Sequence, residues 1–408
     1  MTTKADVAII GCGEAGIFAG YELKRKHPEL NIIVLEQGAD IYSRKCPIVA
    51  GKVKSCIHCK TCDTMCGFGG AGAFSDGKFN FTTQFGGWLT EYMEPEEVME
   101  LIEYVDSINV AHGATTERYS TSTPEARALE VEALKYDLHL LQAQCKHLGT
   151  ERNLEILTNI YEHLKDRIEY RFRTSVTRIE VVGDGYHLVV EDGEDVDCTY
   201  LIAAPGRSGA EWFATQCKDL GIKLINNQVD IGVRVELPTQ VFEHITNVVY
   251  ESKLIYRTKQ YGDQVRTFCM NPYGHVVAEN VEGINTVNGH SYSDPALRSE
   301  NTNFALLVSN RFTEPFNEPY RYGKHIASLS NMLAGGVLVQ RFGDLVKGVR
   351  SNEHRMQRSF TRPTLTAAVP GDLSLALPKR QLDDIIEMIY ALDKLAPGTA
   401  NYDTLLYG

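Results

Sequence analysis

Between Val7 and Leu35 the chain changes its hydrophobic period twice. The unbroken apolar run Val7–Ile10 reads as a strand buried on both faces. It ends in Gly11-Cys-Gly13-Glu-Ala-Gly16, after which Phe18 to Lys26 carries apolar residues at helical spacing. A second buried strand, Ile32–Leu35, then ends in Glu36. Further on, Pro95 and Thr123-Pro124 mark the starts of helices expected over 94–112 and 124–148. Residues 166–204 turn to strand character: Val176-x-x-Ile179, then Tyr186 to Glu191, an Asp192-Gly193 turn, and Tyr200 to Ala204. Strand-like alternation continues over 230–310, in Gly232–Leu237, Val265–Cys269 and Phe304–Val308. Helical spacing returns over 321–350 and 379–395. Residues 37–90 follow neither period and are rich in Gly, Cys and Lys. A loop that long inside a compact domain usually carries function.

The strand–glycine–helix–strand order at the start has a physical use. Gly11 allows a tight turn, Gly13 lets a pyrophosphate approach the backbone, and Gly16 lets the helix lie close on the strand. The first turn of the helix offers free N–H groups and positive dipole to phosphates. Glu36, twenty residues past Gly16, can accept hydrogen bonds from a ribose and disfavours a 2′-phosphate. A second signal runs from Tyr170 to Gly209: two strands, a turn, and an apolar strand ending Ala-Ala-Pro-Gly206-Arg207-Ser208-Gly209. This resembles the β-meander by which flavoproteins with two dinucleotide-binding domains return to the nucleotide. It sets FAD above NAD as the bound cofactor.

Composition narrows the partners. At 408 residues the chain can form two domains with ample core. No apolar run is long enough to span a bilayer and no leader precedes the first strand, so a cytoplasmic protein without a membrane partner is expected. Lys and Arg number 41 against 53 Asp and Glu, a net charge of −12 with no basic run, which disfavours nucleic acid. Of ten cysteines, five fall between Cys46 and Cys66. Cys56-x2-Cys59-x2-Cys62-x3-Cys66, with Cys46 ahead of Pro47, makes these five the candidate metal ligands. Three readings stay open. A [4Fe–4S] cluster would use the C-x2-C-x2-C run with Cys46 or Cys66 as the fourth ligand. A zinc site would prefer two separated C-x2-C knuckles. Redox thiols beside a flavin would need no metal. His58, inside the loop, reads as solvated rather than as a ligand. The run from Gly67 to Lys78 follows, where Gly69, Gly70, Ala71 and Gly72 can bring backbone N–H groups against a flat ligand. Ser75, Asp76 and Lys78 offer polar groups to such a ligand or to a substrate.

Taken together, these motifs resemble the uncharacterised FAD-dependent dehydrogenase family of bacteria and archaea, within the glutathione-reductase-like flavoproteins. The residues that carry the resemblance are the glycine motif, Leu35–Gly38, the cysteine loop running into Gly67–Lys78, and Gly206–Gly209. Asp230–Glu236, Arg266–Pro272, Val287–Ser291 and Ser299–Leu306 extend it over nearly the whole chain. The resemblance implies an α/β fold: a Rossmann-like FAD-binding domain, three-layered with a parallel sheet and a β-meander, and an inserted mixed α+β substrate domain. Candidate cofactor contacts then include Glu14, Ala15, Gln37, Arg44, Val176, Gly206, Arg207 and Ser208. One departure stands out. Such flavoproteins usually close with a Gly-Asp strand end that contacts the flavin, whereas this sequence stops at Tyr407-Gly408. The expectation is either a truncated chain or a second polypeptide completing the site, with weak flavin binding and an exposed apolar seam.

The expected organisation is an FAD-binding domain over 1–90 and 150–230 and a helical insertion over 91–149. A substrate or cap domain over 231–370 and a helical return over 371–408 complete it. The expected function is that of an FAD-dependent oxidoreductase moving hydride or electrons between a small-molecule substrate and FAD. The cysteine loop would act as a relay, with NAD(P)H as a transient donor or an electron-donor protein as partner. A flavin-dependent monooxygenase and a non-catalytic flavoprotein-like subunit are the alternatives. His290 is a candidate proton donor because imidazole titrates near neutrality. Cys269 and Lys78 are the other catalytic candidates, packing being the competing role for Cys269.

Overall fold

The structure is a computed structural model that describes residues 2–47, 50–53, 56–57, 59–292 and 294–408; His58 lies outside the described residues. Strand β1 (Thr2–Ile10), helix α1 (Glu14–Lys26) and strand β2 (Ile32–Glu36) follow the expected order. β1 lies parallel to β2 on one side and to Asp195–Ala203 on the other, and β2 lies parallel to Glu169–Phe172. Asp195–Ala203 continues antiparallel into Gly185–Val190 and then Val176–Val182, so the meander and the parallel strands form one six-stranded sheet. Alternation along β1 and β2 explains the burial of both faces. Val7, Ile9, Ile32 and Val34 pack with Ile17 of α1 and with helix Thr150–Leu164. Ala8, Ile10, Ile33 and Leu35 pack with Ile179, Leu188 and Val196 of the meander.

The second half is built on an eight-stranded sheet. Its centre is Val229–Pro238, paired antiparallel with Asn301–Asn310 along its whole length. Helix Lys379–Leu395 covers this sheet through Ile385, Met388, Ile389 and Leu392. A separate hairpin, His275–Val281 with Ile284–His290, and a small sheet of Lys78–Phe81, Gln144–His147 and Tyr119–Ser120 complete the strands among the described residues.

Several expected elements come out differently. The helix expected over 124–148 stops at Leu134. Asp137 then takes a left-handed conformation, φ 61°, and the Leu138-His-Leu140 alternation becomes an edge strand of the eight-stranded sheet. Residues 91–149 are therefore not a purely helical insertion. Over 321–350 the helix Pro319–Ala334 ends at the left-handed Gly335, and Leu338–Arg341 is a buried strand. The return over 371–408 likewise ends in a strand: Leu405–Tyr407 lies between Val229–Pro238 and Leu338–Arg341. All three of its residues are fully buried. Among the described residues no helix is long and apolar enough to cross a membrane.

Candidate nucleotide cleft and adjoining cavity

The carboxyl ends of β1, β2 and Asp195–Ala203 open onto a cleft of about 220 Å³. Gly11, Gly13, Glu14, Glu36 and Gln37 line it, as do Gly69 to Gly72 of the glycine loop and Gly206 to Ser208. The glycines meet steric demands. Gly11 has φ +93°, and a Cβ there would stand 2.2 Å from the Ala204 carbonyl oxygen. A Cβ on Gly16 would stand 2.1 Å from the Gly11 oxygen. At Gly13 the nearest atom would be 3.9 Å away; its missing side chain leaves the cleft open rather than relieving a clash. Gly13 is the N-cap of α1 and no side chain caps that end, so the first N–H groups remain available to a phosphate.

Glu36 accepts three backbone N–H groups within the protein. Its Oε2 accepts from the Cys12 N–H at 2.7 Å, and its Oε1 from the N–H groups of Gly38 at 2.7 Å and Gly67 at 2.9 Å. The carboxylate thus clasps the glycine turn to the start of the glycine loop, leaving about one of its four acceptor positions for a ribose hydroxyl. These features fit FAD: uncapped helix N–H groups, a cradle that a Cβ would fill, and a carboxylate with acceptor capacity left. Glu14 sets a condition on that fit. It lines both the cleft and the cavity beside it, and desolvation pushes its carboxyl up to about 7.

Arg44 and Val176 line neither the cleft nor the cavity beside it. Arg44 is buried and holds the loops from behind, donating to the carbonyls of Asp63, Phe68 and Gly70 at 2.8, 2.6 and 2.7 Å. Burial brings its guanidinium down to about 10, against the opposing pull of Glu36. Val176 packs in the meander core.

Glu14 and Gly72 also border a second cavity of about 850 Å³. Its walls are apolar, including Phe79, Phe81, Phe85, Leu101 and Phe268, and Ala15, Ser75, Asp76, Lys78 and Cys269 face it. Lys78 is the centre of its polar floor. Its Nζ lies 2.8 Å from Glu251 Oε2, 3.3 Å from Asp76 Oδ2, 2.6 Å from the Met270 carbonyl and 3.7 Å from Cys269 Sγ. Burial works against the ammonium, but Asp76, Cys269 and Glu251 outweigh it and hold Lys78 well above the usual lysine range. Lys78 is therefore a fixed positive charge and not a base. Cys269 stands on a bulge of Gln264–Asn271 with φ 51°. That left-handed conformation costs a β-strand residue about 1 kcal/mol or more. Arg234 Nη2 and Asn271 Nδ2 hold it there by donating to the Cys269 carbonyl at 2.8 and 3.0 Å.

His290 ends the hairpin and does not line the large cavity. Burial holds its imidazole below the usual histidine range, against the pull of Asp76 and Glu279. His147, which sequence reasoning missed, stacks on Tyr250 at 4.7 Å and shares a hydrogen bond with Ser291 at 3.3 Å; burial lowers it as well. Glu251, Asn271 and Tyr250 complete the cluster. Nothing in their local sequence marks Glu251 or His147, because both act through partners far along the chain.

The five loop cysteines divide. Cys46, Cys56, Cys59 and Cys62 line one small pocket, while Cys66 is buried in the nucleotide cleft, 3.4 Å from both Gln37 Nε2 and Ser208 Oγ. Among the described residues no three His, Cys, Asp or Glu side chains are grouped to hold a metal ion, so neither the iron–sulfur nor the zinc arrangement expected of this loop is assembled.

Comparison with known proteins adds the following. Residues 228–408 match the family described as FAD-dependent protein, C-terminal domain-like. An uncharacterised protein of Clostridium beijerinckii is 28% identical over 426 residues, covering 99% of this chain and 71% of its own length. Among solved structures, the L-amino acid deaminase of Proteus myxofaciens is 14% identical with a TM-score of 0.31, over 58% of this chain and 51% of that one. The amino acid oxidase NikD is 13% identical with a TM-score of 0.38, over 75% and 71% of the two chains. The match thus spans about half the length of the deaminase. The family match, beside a cleft that fits the cofactor, supports an FAD-dependent oxidoreductase.

Proposed function

We propose that this protein exchanges a hydride or electrons between a small apolar substrate and FAD. One observation carries the reading: the nucleotide cleft and the 850 Å³ apolar cavity meet at Glu14 and Gly72, with Lys78 on the cavity floor. FAD, when bound, supplies the two-electron redox chemistry. The chain supplies the rest. The N–H groups of Gly13, Glu14 and Ala15 receive the pyrophosphate, Glu36 accepts from the ribose, and Gly69 to Gly72 give the ring close access to backbone. The phenylalanine walls exclude water from the substrate, which strengthens every charge inside. The Lys78 ammonium is a preorganised positive charge for negative charge that develops beside it. The cysteine loop is the proposed entry or exit for single electrons.

The test begins with protein purified without air. It should carry flavin absorption, and a panel of apolar alcohols, amines and acids should include compounds that bleach it. Lys78→Arg, which keeps the charge but moves it, should slow that bleaching by at least about tenfold. Protein that takes up no FAD on titration would overturn the reading.

A further inference from the structure

Lys253 lines the 850 Å³ cavity, and the flavin reading gives it no task. It is 2% exposed. Two other buried lysines hold carboxylates: Lys78 pairs with Glu251 at 2.8 Å and Lys146 with Asp106 at 2.7 Å. Among the described residues Lys253 has no such partner. Its Nζ donates to the Phe85 carbonyl at 2.9 Å. It also lies over two aromatic rings, 4.1 Å from the centroid of Phe85 and 4.7 Å from that of Phe268. An ammonium carries three N–H donors, and ring faces offset the burial of its charge only in part. Burial, and after it repulsion from Arg266, brings the ammonium down to about 8 against the weaker pull of Glu251. The acids around it are committed elsewhere. Asp76 and Glu251 serve Lys78, and Asp106 serves Lys146 and Arg118. Asp230 is taken by Arg266 at 2.5 Å, and Glu14 stands at the border with the nucleotide cleft.

We propose that the cavity takes an amphipathic carboxylic acid, whose carboxylate pairs with Lys253 and whose apolar body lies against Phe79, Phe81, Leu101 and Phe268. The chemistry agrees at both ends. The phenylalanine walls reward an apolar body. A carboxylate supplies the ammonium with the charge-assisted hydrogen bonds that the fold leaves unmade, and it would raise the ammonium again. That such an acid is also the redox substrate rests on the flavin reading; its binding does not.

Titration calorimetry on the full chain with octanoate and cinnamate, each against its primary amide, separates charge from shape. The acids should bind at least about tenfold more tightly than the amides. Lys253→Met should bring each acid to within about twofold of its amide, and Lys253→Arg, which keeps a cation there, should retain part of the preference. Lys253→Met removes a buried cation that has no counter-charge, so the variant should fold. If it does not, the acid-to-amide ratio of the parent decides the matter. Acids and amides that bind alike in the parent, or no binding of either acid at millimolar concentration, would overturn the proposal. So would a Lys253→Met protein that keeps the preference. Flavin absorption read on the same sample keeps the two readings apart: acid preference in protein that takes up no FAD supports this site and breaks the flavin proposal, and FAD uptake without acid preference does the reverse.

Discussion

The nucleotide cleft takes its floor from residues 11–16 and 36–38, where two strand ends and one helix start lie side by side. The cavity next to it gathers Lys78 and Asp76 from the glycine loop, Glu251 from 173 residues away, and Cys269 from a bulged strand of the other sheet. The first is made by backbone, by N–H groups and missing side chains. The second is made by buried charges that depend on one another. Substitutions should therefore damage them in different ways. In the cleft they should cost cofactor with little loss of fold, wherever the glycine is open. In the cavity they should cost the fold itself.

The largest effect is expected for Lys78→Met. Removing a cation whose side chain is 6% exposed leaves Asp76 and Glu251 buried without it, a loss of about 3–5 kcal/mol. Urea unfolding should show it, and an unchanged midpoint would break the contrast. Next comes the glycine pair. Gly16→Ala places a Cβ against the Gly11 oxygen and should reduce both stability and FAD binding. Gly13→Ala has no atom nearer than 3.9 Å, so thermal unfolding should stay near that of the parent while FAD affinity falls by about tenfold, about 1.4 kcal/mol. Equal stability losses at the two positions would show that the cleft is held by packing rather than by an open backbone.

Glu14 tests where the two regions meet. Its carboxyl is neutral below about 7 and charged above it, and a carboxylate repels a pyrophosphate. FAD affinity should therefore fall as pH rises through that value, and Glu14→Gln should flatten the profile. The stability sign follows the same way. The folded pKa lies above the ordinary 4.5, so the folded state gains a proton relative to the unfolded one between those values. That contribution is lost as pH rises through about 7. A pH-independent dissociation constant in the parent would overturn this. The smallest effect is expected at Cys269. Cys269→Gly removes a side chain from a left-handed position and should leave unfolding unchanged or raise stability by up to about 1 kcal/mol, whereas Arg234→Met, which frees the Cys269 carbonyl, should lower it. Loss of stability on Cys269→Gly would mean that the thiol contacts outweigh the backbone strain.

Much of the frame was legible from residue patterns alone. The βαβ start, the meander and the glycine cradle follow from period changes and turn chemistry within thirty-odd residues, which local sterics largely decide. The breaks near Leu134 and Gly335 were missed because apolar spacing in short segments serves strand and helix alike, and the sheet waiting to receive Leu138–Leu140 and Leu338–Arg341 tipped the outcome. Arg44 entered as a cofactor contact only through the resemblance; in the fold three carbonyls hold its guanidinium.

By itself, then, the amino-acid order determined where a dinucleotide could sit and that thiols would gather beside it. Those properties depend on which backbone conformations a short stretch can adopt. Only the tertiary structure decided that Glu36 clasps three N–H groups, that Lys78 is a fixed charge between two acids, and that Cys46 rather than Cys66 shares the pocket of Cys56, Cys59 and Cys62. Each of these joins residues distant in the chain, and its energy depends on burial and on a partner that no local pattern specifies.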